Sequence, residues 1–75
     1  DDDAVFMAVV RAVFTQRRKT LRNAIRNTTH ISGIADAGVV LDELSDDVLG
    51  ARPGELPPAT FAEIAQIAIE NGVIG

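Results

Sequence analysis

Residues 4–14 read Ala-Val-Phe-Met-Ala-Val-Val-Arg-Ala-Val-Phe, apolar throughout except for Arg11. At 3.6 residues per turn, Val5, Phe6, Val9, Val10, Val13 and Phe14 spread over more than one side of a helix. A helix that is apolar nearly all round is a buried one. This segment is therefore expected at the centre of the fold, or with its second face docked on sequence outside this chain. It falls far short of the roughly 20 residues that span a bilayer. The leader Asp1-Asp2-Asp3 is acidic, whereas a signal peptide begins with a basic region, so a cytoplasmic protein is expected. Asp3 is placed to cap the helix at Ala4. No Met opens the chain, which reads as a piece of something longer.

The remaining punctuation is helical. Leu21 and Ile25 are four apart, and Phe14 stands seven before Leu21, so the three share one side if the first helix continues past Thr15. Arg18, Arg22 and Arg26, again four apart, then line a neighbouring face beside Lys19. A break is expected near Thr15–Thr20, because three adjacent cations strain a helix, and Gly33 ends the run. Asp36 can cap a helix over Ala37–Leu44, with Val39, Val40 and Leu44 inward. Ser45-Asp46-Asp47 opens one more turn, which Gly50 closes. Arg52-Pro53-Gly54 is a turn. Pro58 suits the first position of a last helix with Phe61, Ile64, Ala65 and Ala68 buried and Gly72 at its end. No alternating strand pattern or internal repeat occurs. The expected fold is all-α, a small bundle of four to five short helices making one domain over residues 1–75. With no cysteine, neither disulfides nor a thiolate metal site supports so small a core.

Charge is divided along the chain. Residues 4–35 hold Arg11, Arg17, Arg18, Lys19, Arg22 and Arg26 and no acid, whereas residues 36–75 hold eight acids and Arg52 alone. Net charge is −4, yet distribution rather than the total is what a polyanion meets. An element without acids has no i,i+4 ion pairs to occupy its cations, and the planar fork of Arg suits phosphate. RNA or DNA contact is the functional reading, and a solvated helix face the bland one. Arg17 falls on the apolar side and has a second possible role, bonding helix ends or Asn23. The excess of Asp over Glu and the single lysine resemble the balance of proteins from salt-loving archaea. At molar salt the Debye length is about 3 Å, so counterion release contributes less there and direct hydrogen bonds contribute more.

Other chemistries find little footing. Phe6, Phe14 and Phe61 are the only aromatics. All three fall on expected core stripes, so binding by base stacking is not expected, and contact with the backbone and shape of folded RNA fits better. His30 has no Cys or second His with which to share a metal. Asp42-Glu43 and Asp46-Asp47 lack the spacing of a calcium loop. No nucleophile–base pair or glycine-rich phosphate loop is present, so the chain taken alone is expected to be non-catalytic, without metal or cofactor.

The stretch Phe14-Thr15-Gln16-Arg17-Arg18-Lys19-Thr20-Leu21-Arg22-Asn23 resembles the signature that opens the C-terminal domain of small-subunit ribosomal RNA adenine dimethyltransferases. Arg52-Pro53-Gly54-Glu55-Leu56, then Phe61 and the Ala-rich helix to Asn71, fit as well, so the resemblance runs from Val5 to Asn71. It implies a two-domain parent enzyme. A Rossmann-like catalytic domain preceding Asp1 would bind S-adenosylmethionine and dimethylate N6 of two adjacent adenines near the 3′ end of small-subunit rRNA. The helical C-terminal domain would grip that rRNA and the immature subunit. Carried over, the RNA-binding positions are Gln16, Arg17, Arg18, Lys19, Arg22 and Asn23, and Arg11 and Arg26 extend the basic face outside the motif. The glycine-rich cofactor motif and the Asn-Leu-Pro-Tyr-type catalytic motif are absent from these residues. Pro57 replaces a helix-capping Ser or Thr. A helical protein-interaction module is the alternative, and a DNA-binding three-helix domain ranks third, with no DNA partner expected.

Overall fold

A computed structural model describes residues 2–74, apart from the side chain of Asp2. The apolar first segment forms α1 (Asp2–Phe14), which packs on α2 (Leu21–Asn27), α3 (Thr29–Ser32), α6 (Pro58–Glu70) and a 3-10 turn at Pro53–Glu55. It thus takes the central place, the first of the two arrangements its composition allows. Val9, Ala12 and Val13 on it are buried, and Val5, Phe6 and Val10 lean half-buried on the same core. The first turn differs from expectation. The chain is helical from Asp2, so Asp3 lies inside the helix rather than capping it at Ala4. A carboxylate there complements the positive end of the helix dipole. Asp1, the start of the acidic leader, lies outside the described residues.

The break after Phe14 occurs within the expected stretch. Amides of Thr15 and Gln16 bond back to the carbonyls of Ala12 and Val13, and the Thr15 hydroxyl donates to the Ala12 carbonyl at 2.6 Å. These bonds use carbonyls that a helix end leaves orphaned. The chain restarts at Thr20, whose hydroxyl accepts from the Asn23 amide. The Leu21 amide, which has no partner within its own helix, donates to the Ala51 carbonyl at 2.7 Å and so fastens the start of α2 to the end of α5 (Asp46–Gly50). Leu21, Ala24 and Ile25 then enter the core. Phe14 does not join their stripe, because the break turns it away.

Asp36 caps α4 (Ala37–Asp42) through the Gly38 amide, and Ser45 caps α5 through the Val48 amide. The α4 helix is two residues shorter than the expected Ala37–Leu44, although Val40 and Leu44 are both buried. In α6, Pro58 takes the first position, and Phe61, Ile64, Ala65 and Ala68 are buried as expected, joined by Thr60 and Ile67. Pro57 supplies no side-chain cap; its carbonyl instead accepts from the Thr60 amide. The described residues hold six helices rather than four or five, and no strand beyond a single antiparallel bridge between Ile34 and Ile74. The additional helix is α3, a single turn. The fold is all-α.

Gly33 ends α3 at φ +84°, and a Cβ built there meets nothing closer than Ile74 Cγ1 at 3.7 Å. Space is therefore not the constraint; the left-handed backbone is, at about 1–2 kcal/mol for an L side chain. Gly33→Ala is expected to lower the melting temperature by roughly 4–15 °C at about 4–8 °C per kcal/mol. Gly50, in α5 with ordinary φ and open space around its Cβ position, is the control. Gly50→Ala is expected to raise it slightly, by restricting the unfolded chain by about 0.4–1 kcal/mol. Thermal melts followed by circular dichroism check both signs.

Candidate functional site

The cations of the basic segment are presented by two different structures. Arg17, Arg18 and Lys19 occupy the turn between α1 and α2, whereas Arg22, Asn23 and Arg26 stand on α2 and Arg11 on the last turn of α1. Arg18 is consequently not in helical register with Arg22 and Arg26, and the expected three-arginine stripe reduces to two. Its cause is the same chain break, since i,i+4 spacing aligns side chains only within a continuous helix. All of these residues are exposed, and Gln16 is half-buried.

Arg17 does not take the structural role that its place on the apolar side allows. It is exposed, and no hydrogen bond or ion pair joins it to a helix end or to Asn23 among the described residues. Arg18 and Lys19 likewise carry no side-chain partner there; the Lys19 amide donates to the Gln16 carbonyl at 2.9 Å, closing the turn. Phe14, Thr15, Gln16, Arg17, Arg18 and Lys19 together line an open concavity of about 400 Å³. No acid contributes to that lining.

Arg22 is different. Its Nη2 lies 3.5 Å from Asp46 Oδ1, an ion pair between α2 and the first turn of α5 with both side chains half or more exposed. A pair so wet adds little stability. Its consequence is electrostatic: one member of the basic face is partly neutralised by the acidic half of the chain, 24 residues away. The basic ridge therefore has an open section in the turn and a partly screened section on α2.

The three phenylalanines do not share one environment. Phe61 is buried and Phe6 is half-buried, but Phe14 is 39% exposed. Its ring leans on Phe61 with centroids 5.5 Å apart at 52° and looks outward at the rim of the cationic concavity. Phe14 was expected on a core stripe of the first helix, aligned with Leu21 if that helix continued; the helix ends at Phe14, which lies at the edge of the core.

Two smaller features complete the surface. An apolar groove of about 330 Å³ between α1 and α6 is lined by Asp3, Phe6, Ala62, Ala65, Gln66 and Ile69. Met7 is 52% exposed on α1. No helix among the described residues is long and apolar enough to cross a membrane.

Comparison with curated proteins gives a consistent set of relatives. The chain is 59% identical over 69 residues to the probable ribosomal RNA small subunit methyltransferase A of Natronomonas pharaonis, covering 92% of this chain and 25% of that protein. It is 61% identical over 67 residues to the protein of the same name from Halobacterium salinarum, covering 89% and 24%. The corresponding Methanosarcina barkeri protein is 42% identical over 69 residues, covering 92% and 24%. The chain spans about a quarter of the length of these relatives, at their C-terminal end, and most come from halophilic archaea. No family model and no solved structure matches it.

Proposed function

The chain belongs, as a C-terminal part, to the ribosomal RNA small subunit methyltransferase A family, and from that premise we propose that it is the rRNA-gripping domain of a cytoplasmic adenine dimethyltransferase. The parent enzyme would dimethylate two adjacent adenines near the 3′ end of small-subunit rRNA during assembly of the subunit. The observation that supports the gripping role is the turn between α1 and α2, which exposes Arg17, Arg18 and Lys19 with no carboxylate against them in an otherwise acidic chain.

The described residues offer no strand running into a glycine-rich turn, so they do not fit S-adenosylmethionine. The cofactor and the transfer step belong, in this proposal, to the part of the parent that lies before residue 1. What these residues contribute is position. Extruding an adenine from a stack costs a few kcal/mol, and phosphate contacts made elsewhere on the same RNA fix its register and offset that cost. Arg17, Arg18 and Lys19 are the primary contacts, with Gln16, Asn23, Arg11 and Arg26 around them. Arg22 engages phosphate by exchanging its Asp46 partner.

NMR titration of the chain with a 3′-terminal small-subunit rRNA hairpin, with duplex DNA as control, tests the reading. Shifts confined to Arg11–Asn27 with RNA are expected. Arg18→Ala is expected to weaken binding and flatten the salt slope by about 0.7–0.9, one phosphate contact. Arg22→Ala is expected to do less, because its guanidinium is already paired. Equal slopes in the wild type and both variants would contradict the phosphate assignment. The alternative, a protein-interaction module, draws on exposed Met7 and the groove between α1 and α6; it predicts saturable, salt-insensitive binding to a protein and no response to RNA.

A further inference from the structure

We infer that Phe14 is a stacking platform for one unpaired base of the bound RNA, seated in the concavity whose rim carries Arg17, Arg18 and Lys19. This inference rests on the RNA-gripping role proposed above and adds to it a contact of a different chemistry. Three observations converge at one place. Phe14 keeps 39% of its surface exposed, the most of the three phenylalanines. Its ring is held against Phe61 at 5.5 Å between centroids, so its orientation is set before any ligand arrives. The concavity it lines, about 400 Å³, is otherwise walled by the cationic turn and Gln16.

A nucleotide unit has two faces of opposite character, an apolar π-face and an anionic phosphate. A pinned aromatic ring beside three unpartnered cations complements both at once. A ring already held by a neighbour loses little freedom when a base stacks on it, and every base offers a π-face, so the contact needs no particular sequence. Gln16, half-buried in the same lining, supplies an amide with both donor and acceptor for a base edge. The other two phenylalanines lack this setting. Phe61 is buried, and Phe6 lines a groove that includes Asp3 and no cation. The charge around Phe14 is what selects a nucleic acid over an apolar protein segment as its occupant.

The test uses the full 75-residue chain and a 3′-terminal small-subunit rRNA hairpin carrying 2-aminopurine at each unpaired position in turn. Wild type is expected to quench emission at one position on binding. Phe14→Leu, which keeps an apolar side chain against Phe61, is expected to lose that quench and to bind about 5- to 150-fold more weakly, the range for loss of one base–aromatic stack. Because stacking releases no counterions, the loss should be the same at low and high salt, unlike that of the arginine variants. Phe14→Tyr should restore both affinity and quench. Circular dichroism of each variant establishes that it is folded. Wild-type RNA binding with no quench at any position, or Phe14→Leu binding as tightly as wild type, overturns the stacking inference and leaves the phosphate grip standing. Absence of RNA binding by the wild type overturns both.

Discussion

Leu21→Ala is expected to lower the melting temperature by about 10–30 °C, and so to leave a large part of the population unfolded at the working temperature. Leu21 is fully buried at the first position of α2. Removing a core Leu side chain costs about 2–5 kcal/mol when the surroundings cannot close over the gap. A domain of this size holds only about 3–5 kcal/mol in total, and each kcal/mol corresponds to roughly 4–8 °C here. Collapse around the cavity is restricted, because the Leu21 amide is tied to the Ala51 carbonyl at 2.7 Å and the α2 start cannot move in without losing that bond. Leu21→Met, which conserves volume, should cost under about 1.5 kcal/mol and is the control. Denaturation followed by circular dichroism decides it: a Leu21→Ala midpoint within a few degrees of wild type would mean that this position is not part of the stabilising core.

Leu21 also shows where sequence reasoning succeeded. Its partner Ile25, unlike Ala24, follows from spacing alone, as do the cap at Asp36, the turn opening at Ser45, the Pro58 start of α6 and the stop at Gly33. Each of these is decided by three or four adjacent residues: a side-chain oxygen reaching an amide two or three ahead, a ring that lacks an amide, a residue free to take positive φ. Where several such local signals agree, little is left for the tertiary structure to override. The Ala4–Phe14 run offered a central helix or one docked on sequence outside the chain; α1 takes the central place through Val9, Ala12 and Val13, while Met7 and Phe14 stay exposed.

What was not legible depended on contacts across the chain. The single turn α3 has no cap of its own; the Thr28 hydroxyl bonds backward to the Ala24 carbonyl at 2.6 Å instead, and four residues are too few to show a period. Arg22 meets Asp46, and Asn71 Nδ2 donates to Glu43 Oε2 at 2.6 Å, at separations of 24 and 28 residues. Spacing within one helix says nothing of such pairs. Phe14 was the instructive miss. Its expected place on a core stripe rested on the apolar faces of the first helix and, if the helix continued, on alignment with Leu21, although a break at Thr15–Thr20 was expected from the same residues. Applying that break consistently would have detached Phe14 from the Leu21–Ile25 stripe and left it beside the cations. Of the candidate site, the segregation of charge was plain in the sequence. The division into an open turn and a partly paired helix face was not.

That division leads to the largest effect expected on function. Replacing Arg17, Arg18 and Lys19 together with Ala should reduce RNA affinity by about 100-fold or more at 0.1 M salt and much less near 1 M. Each phosphate contact contributes about 0.7–0.9 to the slope of log K against log salt, so three lost contacts flatten it by about 2–3. Over one decade of salt this amounts to two orders of magnitude or more. The fold should be untouched, because all three side chains are exposed and the turn is held by backbone bonds and by Thr15 rather than by the cations. Arg22→Ala with Arg26→Ala on α2 is the matched comparison. It removes two formal charges, but one of them already faces Asp46, so it should flatten the slope by less than two contacts require. Filter binding or fluorescence anisotropy from 0.1 to 1 M KCl measures both. If the turn variant and the helix variant flatten the slope equally per charge, Asp46 does not compete for Arg22, and the open turn has no special part in the grip. If the turn variant leaves the slope unchanged while remaining folded, these cations do not meet phosphate. For a chain whose relatives come mostly from halophilic archaea the salt axis is more than a laboratory variable. Near molar salt the counterion contribution vanishes and only short contacts survive the roughly 3 Å Debye length, which makes the direct hydrogen bonds of the Arg forks and the stack on Phe14 the parts of the interface left to hold RNA.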